Sequence, residues 1–214
     1  MILSQLIDMP ASTWAYHEIK KRILSKDYPP GHKLREISLC KELMLTRTPI
    51  REAIIRLQSE GLLSSQPNKG AFVPELSLNE IEELFEVREA LEIKAAELAT
   101  RRANREQLDL VREGLERHEL RLASSNDDEY YQPDMDFHEA IVKLCKNKTL
   151  SDMWDSMHSR LILARAISGS TAMRYKYALK EHKIILQKIY EGKDYELRKV
   201  ISDHIAGAKV NLIG

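Results

Sequence analysis

The sequence predicts a mostly α-helical chain in two parts: a small N-terminal module of helices and one β-hairpin, then an all-α antiparallel helical bundle. Three observations predict it. Eight glycines and seven prolines in 214 residues, with 43% apolar and 31% charged side chains, exclude turn-dense sandwiches, collagen-like repeats and disordered chains. Apolar residues recur at three- and four-residue spacing along most of the chain, the mark of amphipathic helices. One stretch, 62–73, instead reads as two short strands around a turn.

The length suits one large domain or two modest ones. Lys+Arg and Asp+Glu are equal at 33 each, so overall charge points to neither a nucleic acid nor a membrane. Charge is nevertheless uneven. Residues 10–73 hold eleven Lys/Arg against six Asp/Glu, a net of +5, ahead of an acidic body. The boundary is drawn at Pro74, dividing the chain into residues 1–74 and 75–214.

In the first part, Ile19 and Ile23 mark a helix over about 12–25. Asp27-Tyr28-Pro29-Pro30-Gly31 ends it, because paired prolines cannot continue a helix. A short helix follows at about 36–43 and a longer one at about 47–59, opened by Thr46 as cap with Pro49 in the first turn and stopped by Gly61. Asn68-Lys69-Gly70 then turns the hairpin. Three helices and a hairpin in about sixty residues are the layout of a winged helix-turn-helix.

After the linker Pro74–Ser77, Ser77 and Glu80 form a capping box opening a helix to about 102. Asn104 and Gln107 start the next, 124–128 is a loop, and 133–145 is helical again. Thr149 and Asp152 cap a helix to about 168, another covers about 171–190, and Asp194 starts the last. Six helices on short loops suggest an antiparallel bundle. No basic leader precedes the opening apolar residues and no stretch has the length of a membrane span, so the protein is expected to be soluble and cytoplasmic, with no membrane partner. Cys40 and Cys145, far apart, make neither a disulfide framework nor a zinc motif.

A helix-turn-helix lays its second helix in the major groove of DNA. The start of that helix carries Thr46, Arg47, Thr48 and Arg51, which suit guanine edges, thymine methyls and phosphates, while Ile50, Ile54, Ile55 and Leu57 supply the packing face. Lys69 and Gly70 at the wing tip can approach the backbone or minor groove. Tyr28-Pro29-Pro30-Gly31, Leu34-Arg35-Glu36, the run Leu45-Thr46-Arg47-Thr48-Pro49-Ile50-Arg51-Glu52-Ala53, Glu60-Gly61-Leu62 and Gly70-Ala71-Phe72-Val73 closely resemble the DNA-binding domain of the GntR family of bacterial transcription regulators. The resemblance implies DNA contact at Thr46, Arg47, Thr48 and Arg51 and a wing tip at Lys69-Gly70; Arg35, in the preceding helix's opening motif, joins them. Met44 departs from the family, which usually has glycine in this turn, where positive φ costs other residues about 1 kcal/mol or more.

In the helical body several polar side chains fall on apolar stripes and must point inward. Asp134 and His138 run into Ile141 and Cys145; His182 lies with Ala178, Ile185 and Ile189; His204 lies between Ile201 and Ala208. Three imidazoles and a carboxylate from three helices suit zinc, nickel, manganese or iron. Periodicity also places His118 and His158 at stripes, so it does not by itself select a cluster. Asp134-Met135-Asp136-Phe137-His138, Asn147 with Leu150, Glu181-His182, His204 and Val87-Arg88-Glu89-Ala90-Leu91-Glu92 resemble the all-helical effector domain of the FCD branch of the GntR family. That resemblance implies divalent-metal ligation by Asp134, His138, His182 and His204, leaving out His118 and His158, and an FCD-like bundle.

Arg88, on a stripe with Leu84, Leu91, Ala95 and Leu98, and Arg160, with Met153, Met157 and Ala164, are cations on apolar faces. Each suits either an internal carboxylate, such as Glu92 for Arg88, or the carboxylate of a small organic acid. The expected protein is a homodimeric regulator of a pseudo-palindromic double-stranded DNA operator, controlled by a small organic acid at the metal site. A metal-dependent hydrolase using the same His₃Asp set is the alternative, weakened by the lack of a His-Glu-x-x-His helix.

Overall fold

A computed structural model describes residues 9–66, 70–124, 133–168 and 172–213, the side chains of 124, 133–136, 165–168 and 172–175 excepted. Lys69 and the Asp134 side chain lie outside the described set. The elements are α1 (Ala11–Leu24), β1 (Lys33–Leu34), α2 (Glu36–Leu43), α3 (Arg47–Ser59), β2 (Ser64–Gln66), β3 (Gly70–Phe72), α4 (Leu78–Arg102), α5 (Arg105–Ser124), α6 (Pro133–Leu144), α7 (Lys148–Ser168), α8 (Ala172–Glu191) and α9 (Asp194–Ile213). The order is that of a winged helix-turn-helix followed by a helical bundle. By internal packing the chain forms two compact units, Met1–Ser77 with Ser156–Ile167, and Leu78–Asp155 with Ser168–Gly214. The α7 segment thus groups with the N-terminal unit, although it follows Pro74 in sequence. No described helix is long and apolar enough to cross a membrane.

In the first unit α1 packs on α3 through Ala15, Ile19 and Ile23 against the face carrying Ile50, Ala53, Ile54 and Leu57, all buried. Each buried Ile or Leu contributes about 1.5–3 kcal/mol, which fixes α3 rigidly by one side. Ile55 is 58% exposed, not part of the packing face as expected. The positions 50, 53, 54 and 57 complete an i, i+3, i+4, i+7 stripe, and residue 55 falls off it. The hairpin β2–β3 gains a third strand, because β1 pairs antiparallel with β3 through Lys33–Phe72 and Leu34–Ala71. Two residues give no readable alternation, so this strand had no sequence signal.

The α2–α3 turn is left-handed at Met44, with φ 53° and ψ 39°, and its side chain is 91% exposed. Met44 therefore occupies the conformation that the family's glycine would adopt without strain.

In the second unit α4, α6, α8 and α9 pack around a shared core, with α5 against α6 and α8. The start of α5 is a reciprocal capping box: the Asn104 amide donates to Gln107 Oε1 at 3.1 Å and the Gln107 amide to Asn104 Oδ1 at 2.9 Å. Helix α7 starts earlier than Thr149, because Asn147 Oδ1 accepts the Leu150 amide at 3.3 Å and caps it.

Candidate metal centre and DNA-reading helix

The packed stripe of α3 leaves its first turn outside. Thr46, Arg47, Thr48 and Arg51 are exposed, as are Arg35 just before α2 and Gly70 at the start of β3. Thr46 has extended backbone angles at the cap position but makes no capping hydrogen bond with its side chain, so the start of α3 keeps unsatisfied amides. Gly70 has φ +74° and open space around it, which lets the wing backbone approach another surface closely. The Arg51 guanidinium donates from Nε and Nη2 to Glu36 at 2.9 and 3.0 Å.

The far end of α3 is held by a polar cluster. Glu60 accepts from the Tyr16 hydroxyl at 2.7 Å and Lys20 at 3.0 Å, and Arg56 stacks 3.7 Å from the Tyr16 ring centre. Burial raises the Glu60 pKa, but the Tyr16 and Lys20 hydrogen bonds and the Lys20 and Arg56 charges outweigh it, so the carboxyl sits below its ordinary value.

In the helical unit His138 from α6, His182 from α8 and His204 from α9 meet, each at most 3% exposed. His138 Nε2 lies 3.1 Å from His204 Nε2 and 3.2 Å from His182 Nε2. Two carboxylates hold the far side of the rings. Glu92 Oε2 is 2.5 Å from His138 Nδ1, and Glu181 Oε2 is 2.6 Å from His204 Nδ1. An ionised carboxylate only accepts, so both Nδ1 atoms carry a proton, and whenever these rings are neutral their Nε2 lone pairs face inward. Lone pairs 3.1 Å apart repel unless a proton or a metal ion lies between them. Cis nitrogens around one ion at ~2.0–2.1 Å would be spaced ~2.9–3.4 Å, so the donor set fits a divalent metal.

Glu92 also ties the centre to Arg88, whose Nε donates to Glu92 Oε1 at 2.7 Å. Burial pushes the Glu92 carboxyl up, but the Arg88 charge and the hydrogen bonds from Arg88 and His138 outweigh it and hold it well below the usual carboxylate range. Arg88 is fully buried, and its Nη1 and Nη2 have no hydrogen-bond partner among the described residues. Beside Glu92 and His138 a small cavity is walled by Ala95, Ala96, Ile141 and Ile201.

The structure therefore brings together His138, His182, His204 and, through Glu92, Arg88. Asp134 begins the same helix as His138, but its side chain is outside the described residues. His118 and His158 are half-buried and outside the three-histidine group. Arg160 is half-buried beside the buried Met157 and Ala164 of its stripe. It belongs to the first unit, its Met153 neighbour is 55% exposed, and its Cγ lies 2.9 Å from where a Cβ on Gly61 would be. Glu92 and Glu181 as histidine partners were missed. The readable signal for Glu92 was its position one turn after Arg88 on the buried stripe Leu84, Arg88, Glu92, Ala95 and Ala99.

Residues 12–73 match the family described as bacterial regulatory proteins, gntR family, and residues 83–207 match the FCD domain. The Nta operon transcriptional regulator of Aminobacter aminovorans is 31% identical over 85% of this chain and 85% of its own length. The Uxu operon transcriptional regulator of Escherichia coli strain K12 is 27% identical over 91% of this chain and 84% of its own. Among solved structures, E. coli McbR/YncC superposes with a TM-score of 0.80 at 19% identity, and a putative GntR regulator from Rhodococcus sp. RHA1 with 0.77 at 20%. Each superposition covers 95% of this chain and 97% of the other, a likeness of fold. The hydrolase alternative gains no support from these relatives, which are transcriptional regulators. The chain belongs to the GntR family of bacterial regulatory proteins, with an FCD helical domain, and is a DNA-binding transcription regulator rather than an enzyme.

Proposed function

We propose that residues 1–74 read a pseudo-palindromic operator as part of a homodimer, and that residues 75–214 control this by binding a small organic acid at a divalent-metal site. The observation that carries the reading is the meeting of three imidazole Nε2 atoms, with a carboxylate on the Nδ1 side of two of the rings. His138, His182 and His204 would hold the ion, with Asp134 as a fourth ligand one turn before His138. When bound, such an ion supplies Lewis-acid positions that an organic carboxylate can occupy. Zinc, nickel, manganese and iron all suit the donors.

Arg88 supplies the second half of the acid site. Glu92 fixes its Nε edge, which leaves the two Nη groups as a preoriented fork for a carboxylate. A ligand that favours one arrangement of the protein changes DNA affinity by that same factor, by linkage ~1–3 kcal/mol. On the DNA side, Arg35, Thr46, Arg47, Thr48, Arg51, Lys69 and Gly70 are the proposed contacts.

The test is paired. Metal content of the purified protein should be close to one ion per chain, and binding to a duplex enriched from a random library should fall steeply with salt. Arg47→Ala and Arg51→Ala should each lose ~1–3 kcal/mol of specific affinity with the fold intact. Unchanged binding in both would remove these residues from the interface.

A further inference from the structure

We infer that Glu36 is a positioning residue for operator recognition: it grips one edge of the Arg51 guanidinium and so presents the opposite pair of N–H groups, end-on, to a guanine. The inference rests on the proposed DNA-reading role of Arg51 and deepens it. Glu36 is the first residue of α2 and Arg51 lies in the second turn of α3, so the pair crosses the turn between the two helices. Both carboxylate oxygens are used, Oε1 on Nε at 2.9 Å and Oε2 on Nη2 at 3.0 Å. A guanidinium is planar, with five N–H groups in fixed directions. With the Nε/Nη2 edge occupied, Nη1 and the second hydrogen of Nη2 remain as a parallel pair, matched to adjacent guanine O6 and N7.

Charge makes the arrangement informative. A carboxylate on the face that meets a polyanion repels every phosphate regardless of sequence, and an exposed ion pair contributes little to folding. Arg51 is exposed and Glu36 half-buried, so this pair is of that exposed kind. What Glu36 offers in return is a side chain already ordered before DNA arrives, which lowers the entropic cost of a directional contact. Sequence discrimination is thereby gained at the expense of general affinity for DNA.

The test uses the full-length protein and two probes, a duplex enriched from a random library on the wild type and a shuffled duplex of the same composition. Dissociation constants for both are measured across a salt series for the wild type, Glu36→Gln, Glu36→Asp, Arg51→Ala and the Glu36→Gln/Arg51→Ala double variant. Glu36→Gln should lower the enriched-to-shuffled affinity ratio about tenfold while tightening binding to the shuffled duplex. Glu36→Asp keeps the charge but shortens the reach, so it should lower the ratio without tightening shuffled binding. With Arg51 already truncated, Glu36→Gln should leave the ratio within about twofold, because the coupling has been removed. If Arg51→Ala lowers the ratio but Glu36→Gln and Glu36→Asp do not, Glu36 is only a surface charge and the inference is overturned. If Arg51→Ala leaves the ratio unchanged, or no sequence is enriched at all, the DNA-reading assignment beneath it falls instead.

Discussion

Glu92 Oε2 and His138 Nδ1 lie 2.5 Å apart, with both side chains almost completely withdrawn from water. This contact determines which ring nitrogen faces the other histidines, and the same carboxylate neutralises a buried arginine on its other oxygen. One side chain thus sets the chemistry of the centre without itself pointing at the place where the Nε2 atoms meet.

Removing one imidazole should empty the proposed centre. His182→Ala is expected to reduce bound metal from about one ion per chain to background in elemental analysis, and to blunt the response of DNA binding to organic acids. The helix pairings remain, since α8 still buries Ala178, Ile185 and Ile189. Full metal occupancy in this variant would count against ligation.

The Arg88–Glu92 pair should behave as a buried ion pair. Glu92→Gln leaves an uncompensated guanidinium that is fully buried, and should cost ~3–5 kcal/mol in denaturant unfolding. Arg88→Met/Glu92→Gln removes both charges and should recover much of that loss. Equal destabilisation of single and double variants would show that the charges are not coupled.

Glu60 gives a pH prediction with a definite sign. Its folded pKa is depressed, so its contribution is present above the unfolded value near ~4.3 and is lost as pH falls through the folded value. Glu60→Gln should therefore be less stable than the wild type at neutral pH, with the gap narrowing as pH falls below ~4.3. A gap that stays constant down through that window would argue against the Tyr16 and Lys20 contacts as its source.

Two left-handed residues should respond in opposite directions. Met44→Gly relieves φ 53° at an exposed position and should add up to ~1 kcal/mol of stability while keeping DNA binding. Gly61→Ala imposes a Cβ at φ +73° and 2.9 Å from Arg160 Cγ, so it should cost at least ~1 kcal/mol. Melting curves of the two variants check both signs; a destabilised Met44→Gly would refute the strain at that turn.

Helix order was legible from the chain because capping and apolar spacing are local. Asn104 with Gln107 is an example, read from four residues and found as a reciprocal cap. Ile55 and Arg160 show the limit. Each is near an apolar stripe, yet one faces water and the other lays its stem beside Gly61, because a stripe does not name its neighbour.

By itself the sequence determined the helical class, the exposed Thr46-Arg47-Thr48 start of the reading helix, and that His138, His182 and His204 lie on apolar stripes, since these depend on 3.6-residue periodicity and short-range capping. Only the tertiary structure decided that His138, His182 and His204 converge, that Glu92 and Glu181 orient two of them, and that α7 contributes a segment to the N-terminal unit. Those outcomes join residues up to 112 positions apart, as for Glu92 and His204 in one buried chain of contacts. Such distances are closed by packing of whole helices against one another, which no local pattern encodes.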